Sequence, residues 1–332
     1  MLINKWPVLR AMVTTYKRLA LLGFTTLQIE ELKSTFPGAE LVPVLQETIR
    51  KEISTADALI SADRAVLDEV LDADLIAKAG HLRWIHATGA GIEHYLIPEL
   101  VGSSIVLTNG KILQGPGVSD HALALLLTLT RNLHLTIAGD QDVTTPRPIE
   151  LRDKVAVVVG CGGIGMLIVE KLAAFGMKVF GVNNENLPYL TMLQEVYMPE
   201  QLLEILPKAD VVICAAPLTS QSRGMFGVKE FAAMKDTAYF VNVSRGALVQ
   251  TEALVETLQK GKFSGVGLDV TDPEPLPQDH PLHSFRNVVI SPHLAGMSDN
   301  NFTRRYGNIR LNIDRFIHDQ LLINIVDKQR GY

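Results

Sequence analysis

The 332-residue sequence predicts an α/β protein built of two doubly wound parallel-sheet domains. Three observations point to that class. Short apolar runs alternate with stretches of helical spacing, which is the pattern of βα units. The alternation runs in two series, separated by a stretch rich in Pro, Thr and Asp at Asp140–Pro148. The composition, 47% hydrophobic and 20% charged, suffices for packed cores. At roughly 100–200 residues per domain the length suggests about two of them.

In the first series Pro7–Thr14 reads as a first strand. Ala58–Ser61, Arg83–Ala87 and Ser104–Thr108 have the short apolar form of buried strands, and the amphipathic stretches Thr26–Phe36 and Arg64–Ala79 lie between them. His121–Leu135 is apolar nearly all round, as a helix buried on most faces would be. The second series places strands at Val155–Val159, Lys178–Val182, Asp210–Cys214, Ala238–Val243, Gly265–Asp269 and Val288–Ser291. Asn300–Leu322, with Phe302, Ile309, Ile313, Phe316 and Ile317 at helical spacing, predicts a final packed helix.

Charge and cysteine usage exclude several classes. A net charge of −5 without a block of like charges argues against a nucleic-acid binder driven by bulk electrostatics. Two cysteines, Cys161 and Cys214, rule out a disulfide framework and a cysteine-rich zinc module, and fit a reducing compartment. Ala122–Thr130 is too short to span a bilayer, and Leu19–Phe24 is shorter than a signal-peptide core. The first 29 residues lack Asp and Glu but carry Lys5, Arg10, Lys17 and Arg18, the composition of an organelle transit segment. Reading Pro7–Thr14 as a strand favours a cytoplasmic chain instead.

The sharpest motif is Gly160-Cys161-Gly162-Gly163-Ile164-Gly165, directly after Val157-Val158-Val159 and before the helical face Ile164, Leu167, Ile168, Leu172 and Phe175. Strand, GxGxxG and helix form a dinucleotide-binding turn. Gly160 permits the tight turn, Gly162 admits the pyrophosphate and Gly165 lets helix and strand pack closely. The helix start offers N–H donors and the positive end of a dipole. An acid for the ribose hydroxyls is expected about 20 residues on. Asn183 stands there instead, 18 residues after Gly165. An amide does not repel a 2′-phosphate, yet no Arg or Lys follows to clasp one. NAD(H) and NADP(H) therefore both stay open, with NADP(H) above its usual share. Glu185 serves as the acid if the strand ends later. Cys161 reads as a small filler; at a helix start its thiol is expected to be acidified and oxidisable.

Three segments follow strand ends in the second series: Asn242–Gly246, Leu268–Leu276 and Ser291–Gly296. Strand carboxyl ends face the ligand crevice of a parallel sheet. An arginine (Arg245), a carboxylate (Glu274) and a histidine (His293) therefore converge from three separate places. His280 and His283 have metal-like HxxH spacing, but no further ligand cluster joins them and an ordinary loop is expected.

With these segments the sequence resembles the D-isomer-specific 2-hydroxyacid dehydrogenases. The likeness runs through Leu82-Arg83-Trp84-Ile85, Thr88-Gly89-Ala90-Gly91-Ile92, Leu107-Thr108-Asn109-Gly110, Val118-Ser119-Asp120-His121-Ala122-Leu123, the glycine loop, Ala216-Pro217-Leu218-Thr219, the three catalytic-type segments and Asn324-Ile325-Val326-Asp327. It implies a Rossmann nucleotide domain, 108–298, inserted in a flavodoxin-like substrate domain, 1–107 plus 299–332. A long helix from about Ser119 would cross between them, with the active site in the interdomain cleft. It also implies a homodimer through the nucleotide domain.

The resemblance assigns roles too. His293 would be the acid–base, its pKa near working pH, and Glu274 would orient its ring. Arg245 would hold the substrate carboxylate together with the amides of Ala90 and Gly91. Asp269 would meet the nicotinamide carboxamide. Gly163 and Ile164 would lie under the pyrophosphate, Pro217 near the adenosine, and Val243 among the cofactor-lining positions. Many family members carry Arg, Lys or Ala where Gly163 stands.

The implied activity is NAD(P)-dependent reduction of a small 2-keto acid, in the manner of glyoxylate/hydroxypyruvate reductases. The absence of a regulatory domain after Asp327 speaks against a regulated phosphoglycerate dehydrogenase. Glu274 with His293 differs from the glutamine–histidine arrangement of the formate dehydrogenases. A second class is an NAD(H)-sensing corepressor or scaffold, as in the C-terminal-binding-protein branch. That branch can keep the catalytic trio, but its long tail is missing here.

Overall fold

The computed structural model describes residues 16–185 and 192–332. The expected strand Pro7–Thr14 lies outside them. The chain divides into two compact units. The first comprises the described parts of Met1–Thr88, Ile97–Thr108 and Asn308–Ile325; the second comprises those of Gly89–Leu96, Asn109–Gly307 and Val326–Tyr332.

The first unit is built on β1 (Lys17–Leu22), β2 (Ala39–Val44), β3 (Ala58–Ser61), β4 (Trp84–Ala87) and β5 (Val106–Asn109), in the order β2-β1-β3-β4-β5. The β1–β2, β1–β3 and β3–β4 pairs are parallel, and the order is that of flavodoxin-like sheets. Two strands escaped the sequence reading. In β1, Leu19–Leu22 are buried, but Lys17 and Arg18 at the strand's start mask its apolar run. β2 contains Pro43, which a ladder tolerates at an edge, and β2 is an edge strand. Arg64–Ala79 is two helices, Arg64–Val70 and Ala73–Lys78, because Asp72 leaves helical geometry to cap the second: its carboxylate accepts from the Leu75 N–H at 2.8 Å.

The final helix runs Asn301–Ile317. Ile309, Ile313 and Phe316 are buried as expected, whereas Phe302 is 62% exposed. The Phe316 ring lies 5.1 Å from that of Trp84, with the Lys17 ammonium and Arg83 guanidinium each 5.0 Å from its centroid.

The second unit carries β6 (Val155–Val159), β7 (Lys178–Val182), β8 (Val196–Tyr197), β9 (Val211–Cys214), β10 (Tyr239–Asn242), β11 (Gly265–Leu268) and β12 (Val288–Ile290). The order is β12-β11-β10-β9-β6-β7-β8, with every neighbouring pair parallel. This is the Rossmann order extended by one strand. Both faces are covered, which is why β6 reads as unbroken valine and alanine. Val158, Ile168 and Leu126 share one cluster; Val157, Phe226, Phe231 and Phe240 share another. The apolar stretch expected as one helix, His121–Leu135, belongs to a helix that starts earlier, at Gly115, and stops at Thr130. Asn132, at φ 53°, breaks it before a short turn of helix at Leu133–Ile137.

A polar cluster sits deep in the first unit. Thr108 Oγ1 accepts from Trp84 Nε1 at 2.8 Å, so its own proton points to His86 Nδ1, also at 2.8 Å. Burial pulls the His86 pKa down from 6.5 to about 3. The unfolded chain then binds more protons between those values. Stability is full above the unfolded pKa and falls on acidification, by up to about 1.4 kcal/mol per pH unit from this group. Urea midpoints taken between about pH 7 and about pH 5 are expected to fall more steeply for the wild type than for His86→Gln, which cannot titrate there.

Candidate active site

The glycine loop opens where β6 ends. Gly160 has φ +91°, and a Cβ on it would stand 2.4 Å from Ala216 Cα. A Cβ on Gly165 would stand 1.8 Å from the Gly160 carbonyl oxygen. These two glycines are packing requirements. Gly162, in contrast, faces open space, with nothing within 4 Å of its Cβ position. It caps the helix Gly163–Ala174 with no side-chain hydrogen bond, so the space opens at the donor end of that helix. A dinucleotide pyrophosphate fits this cradle. At Gly163 the Cβ position lies 2.5 Å from Ile112 Cγ1, so Ile112 fills the direction a longer residue would take.

A cavity of about 430 Å³ adjoins the loop, lined by Gly160, Asn183, Pro217, Thr219 and Met225 among others. Asn183 follows the last residue of β7 and clips the loop to it. Its Oδ1 accepts from the Cys161 N–H at 3.2 Å, and its Nδ2 donates to the Glu185 carbonyl at 3.1 Å. Because β7 stops at Val182, Glu185 sits beyond the strand end. The sequence reading found no cation near this point, but the fold supplies one: Arg330 Nη1 lies 2.7 Å from Glu185 Oε1. Cys161 is the small buried filler that the sequence suggested, and only the acidified thiol is corrected. The residue is 4% exposed, its Sγ lies 3.5 Å from the Val158 carbonyl oxygen, and burial pushes the thiol pKa up to about 11. Desolvation outweighs the opposing backbone hydrogen bond at Val182.

Strands β10, β11 and β12 end side by side, with Asn242 opposite Leu268 and Leu268 opposite Ile290. The loops leaving them carry the predicted trio. Buried Asn242 shapes the first: its Nδ2 donates to the Arg245 carbonyl at 2.9 Å and its Oδ1 accepts from the Ser244 N–H at 3.1 Å. Gly246 lies flat on the second loop, where a Cβ would stand 1.9 Å from the Thr271 carbonyl oxygen. The Thr271 N–H reaches Glu274 Oε2 at 3.4 Å, and Glu274 Oε1 lies 2.5 Å from His293 Nδ1. The loop of Arg245 thus packs on the loop of Glu274, which in turn bonds His293. The Glu274–His293 bond places the ring proton on Nδ1 and leaves Nε2 to exchange a proton. Both side chains are 40% exposed, and both line a cavity of about 570 Å³ with Asp269, Thr271 and Ser291. Val243, on the β10 side, is buried, with its N–H donating to the Cys214 carbonyl at 3.2 Å.

His293 itself has φ 51°, an uncommon conformation for a non-glycine residue. It is held there by its N–H, 2.8 Å from the Asp269 carbonyl oxygen. The Asp269 carboxylate, 1% exposed, holds the same loop. It accepts from the Leu294 and Ala295 N–H groups at 3.0 Å each and from Ser291 Oγ at 2.7 Å. His121 Nε2 lies 2.7 Å from Ser291 Oγ and 3.3 Å from the carboxylate. Burial raises the Asp269 pKa, but hydrogen bonds from His121, Ser291, Ala295 and Leu294 outweigh it and hold the group below its ordinary value.

The remaining predicted residues, Ala90 and Gly91, lie on a loop of the same unit. Asn109 Nδ2 donates to the Ala90 carbonyl at 2.7 Å. A Cβ on Gly91 would stand 1.6 Å from Arg245 Nη2, so glycine is what allows the guanidinium to lie over this backbone. Arg245 Nε donates at 2.7 Å to Glu93, which the sequence reading passed over.

The family model for "D-isomer specific 2-hydroxyacid dehydrogenase, NAD binding domain" matches residues 123–295. A glyoxylate reductase of Thermofilum pendens is 31% identical over 265 residues, covering 76% of each chain. A D-isomer specific 2-hydroxyacid dehydrogenase family protein of Aeromonas salmonicida superposes with TM-score 0.77 at 27% identity, over 94% of this chain and 99% of that one. The D-mandelate dehydrogenase of Rhodotorula graminis, at 23% identity, shares the fold with TM-score 0.82 over 94% and 98%.

The chain belongs to the D-isomer-specific 2-hydroxyacid dehydrogenase family. It is accordingly an oxidoreductase of small 2-hydroxy and 2-keto acids, and its second unit is the NAD-binding Rossmann fold of that family. Among the described residues no helix is long and apolar enough to cross a membrane. No group of three or more His, Cys, Asp or Glu there is arranged to hold a metal ion. His280 instead caps the turn that follows it, Nδ1 accepting from the Leu282 N–H at 3.2 Å.

Residues of this dehydrogenase that sequence reasoning missed share one trait: their partners lie far away in the chain. Glu93 is an ordinary loop acid until Arg245 is placed beside it. His121 reads as part of an apolar helix until Ser291 arrives. The loop glycines separate by what they face. Gly162→Ala is expected to leave the fold intact and weaken dinucleotide binding at least about tenfold, read by quenching of intrinsic fluorescence. Gly165→Ala, with a Cβ forced against backbone, is expected to lower the melting temperature before any binding is measured.

Proposed function

We propose that this dehydrogenase reduces a small 2-keto acid, of the glyoxylate or hydroxypyruvate kind, to the D-2-hydroxy acid with NADH or NADPH. The observation that carries the reading is the 2.5 Å bond between His293 and Glu274, set on strand ends of the sheet that bears the glycine loop. The bound dihydronicotinamide supplies the hydride for the carbonyl carbon. His293 gives the proton from Nε2 to the carbonyl oxygen, while Glu274 holds Nδ1 and fixes the direction of the ring. Arg245 binds the substrate carboxylate through its planar fork and polarises the carbonyl, aided by the amides of Ala90 and Gly91. Gly162, Gly163 and Ile164 receive the pyrophosphate, on the turn that Gly160 and Gly165 shape. Pro217 borders the adenosine, and Val243 and Asp269 the nicotinamide.

At the ribose, Asn183 in place of an acid and Arg330 beside Glu185 support use of NADPH as well as NADH. The homology to a glyoxylate reductase at 31% identity supports the substrate class.

Oxidation of NADH and NADPH, followed at 340 nm with glyoxylate, hydroxypyruvate and phenylpyruvate, tests the activity. Turnover of none of these pairs would overturn it. His293→Ala is expected to lower kcat by a factor on the order of a hundred to ten thousand with dinucleotide affinity retained. Arg245→Ala is expected to raise KM for the keto acid and lower kcat together. Arg330→Ala is expected to lower kcat/KM with NADPH several-fold and to leave NADH use unchanged. Equal effects on both cofactors would remove Arg330 from the ribose site.

A further inference from the structure

We infer that Glu93 is a positioning residue for Arg245, turning the guanidinium so that its outer Nη1–Nη2 edge meets the carboxylate of a 2-keto acid. The inference rests on the reading of Arg245 as the carboxylate clamp. Arg245 Nε donates to Glu93 Oε1 at 2.7 Å, with the side chains 23% and 21% exposed. On the other side of the plane's axis, Nη1 donates to the Ser244 carbonyl at 2.7 Å. Nη2 lies over Gly91, and Glu93 Oε2 borders the same point: a Cβ on Gly91 would stand 1.6 Å from the first and 2.9 Å from the second.

A guanidinium carries five N–H groups in one plane. Bonds at Nε and at Nη1 settle the rotation of that plane. The remaining Nη protons form the fork that takes a carboxylate in two parallel bonds. An arginine side chain without such anchors would populate many rotamers, and substrate binding would have to select among them.

Glu93 and the substrate have the same sign of charge, which sets up a sharp test. If Glu93 orients Arg245, removing it weakens substrate binding. If Glu93 instead competes for the same fork, removing its charge strengthens it.

Steady-state kinetics of Glu93→Ala and Glu93→Gln with glyoxylate or hydroxypyruvate, at saturating NADH, separate the two. The expected result for Glu93→Ala is a rise of about tenfold or more in KM for the keto acid, with KM for NADH within about twofold of the wild type. Glu93→Gln keeps an oxygen for Nε, and it is expected to recover most of that loss while remaining a few-fold above the wild type. An unchanged KM in Glu93→Ala overturns the inference, as does a lowered KM in Glu93→Gln. Should Glu93→Ala fail to bind dinucleotide, Glu93→Gln carries the test alone, a few-fold rise supporting the inference and no rise overturning it. Arg245→Ala in the same series keeps the two readings apart. If it leaves KM unchanged, the clamp reading itself fails; if it raises KM while the Glu93 variants do not, only the positioning role fails.

Discussion

A buried carboxylate at the end of β11 organises the candidate chemistry. Burying an ionised Asp269 costs several kcal/mol unless donors replace the lost water. Here Ser291, Leu294 and Ala295 donate to it and His121 stands within 3.3 Å. All but His121 belong to the loop that carries His293, so satisfying the charge also fixes that loop. The backbone of His293, at φ 51°, persists because its surroundings over-determine it. Asp269 thus has a structural duty independent of any contact with the cofactor.

The two cationic or proton-bearing groups of the site are each held by a carboxylate from another segment. Glu274 takes Nδ1 of His293, and Glu93 takes Nε of Arg245. A ring or guanidinium bonded on one side presents its other side in a defined direction. The glycines act by the opposite means, through the absence of atoms: Gly91 lets Arg245 lie over its backbone, Gly160 and Gly165 let strand and helix close up, and Gly162 leaves room at the helix start.

Much of the second unit was legible because its signals are local. Strands β6 and β7 ran where their apolar residues stood, and the shift from valine run to glycines to helical face marked the dinucleotide turn. The Arg245, Glu274 and His293 segments were legible as strand-end loops. The first unit was less so. β1 begins with two charged residues, β2 contains Pro43, and the split at Asp72 depends on a capping bond that competes with helix continuation. At Cys161, the local argument from a helix end failed because burial, a tertiary quantity, dominates the thiol's pKa.

The amino-acid order determined the alternation of strands and helices, the glycine turn and the chemical types able to handle a keto acid, since those depend on periodicity and on residue identity along a few consecutive positions. The tertiary structure alone decided which distant groups meet: Glu93 with Arg245, Arg330 with Glu185, His121 with Ser291 and Asp269. Such pairings arise from how parallel strands stack and where their loops fall. Direction, desolvation and hydrogen-bond geometry take their values only once those strands are side by side.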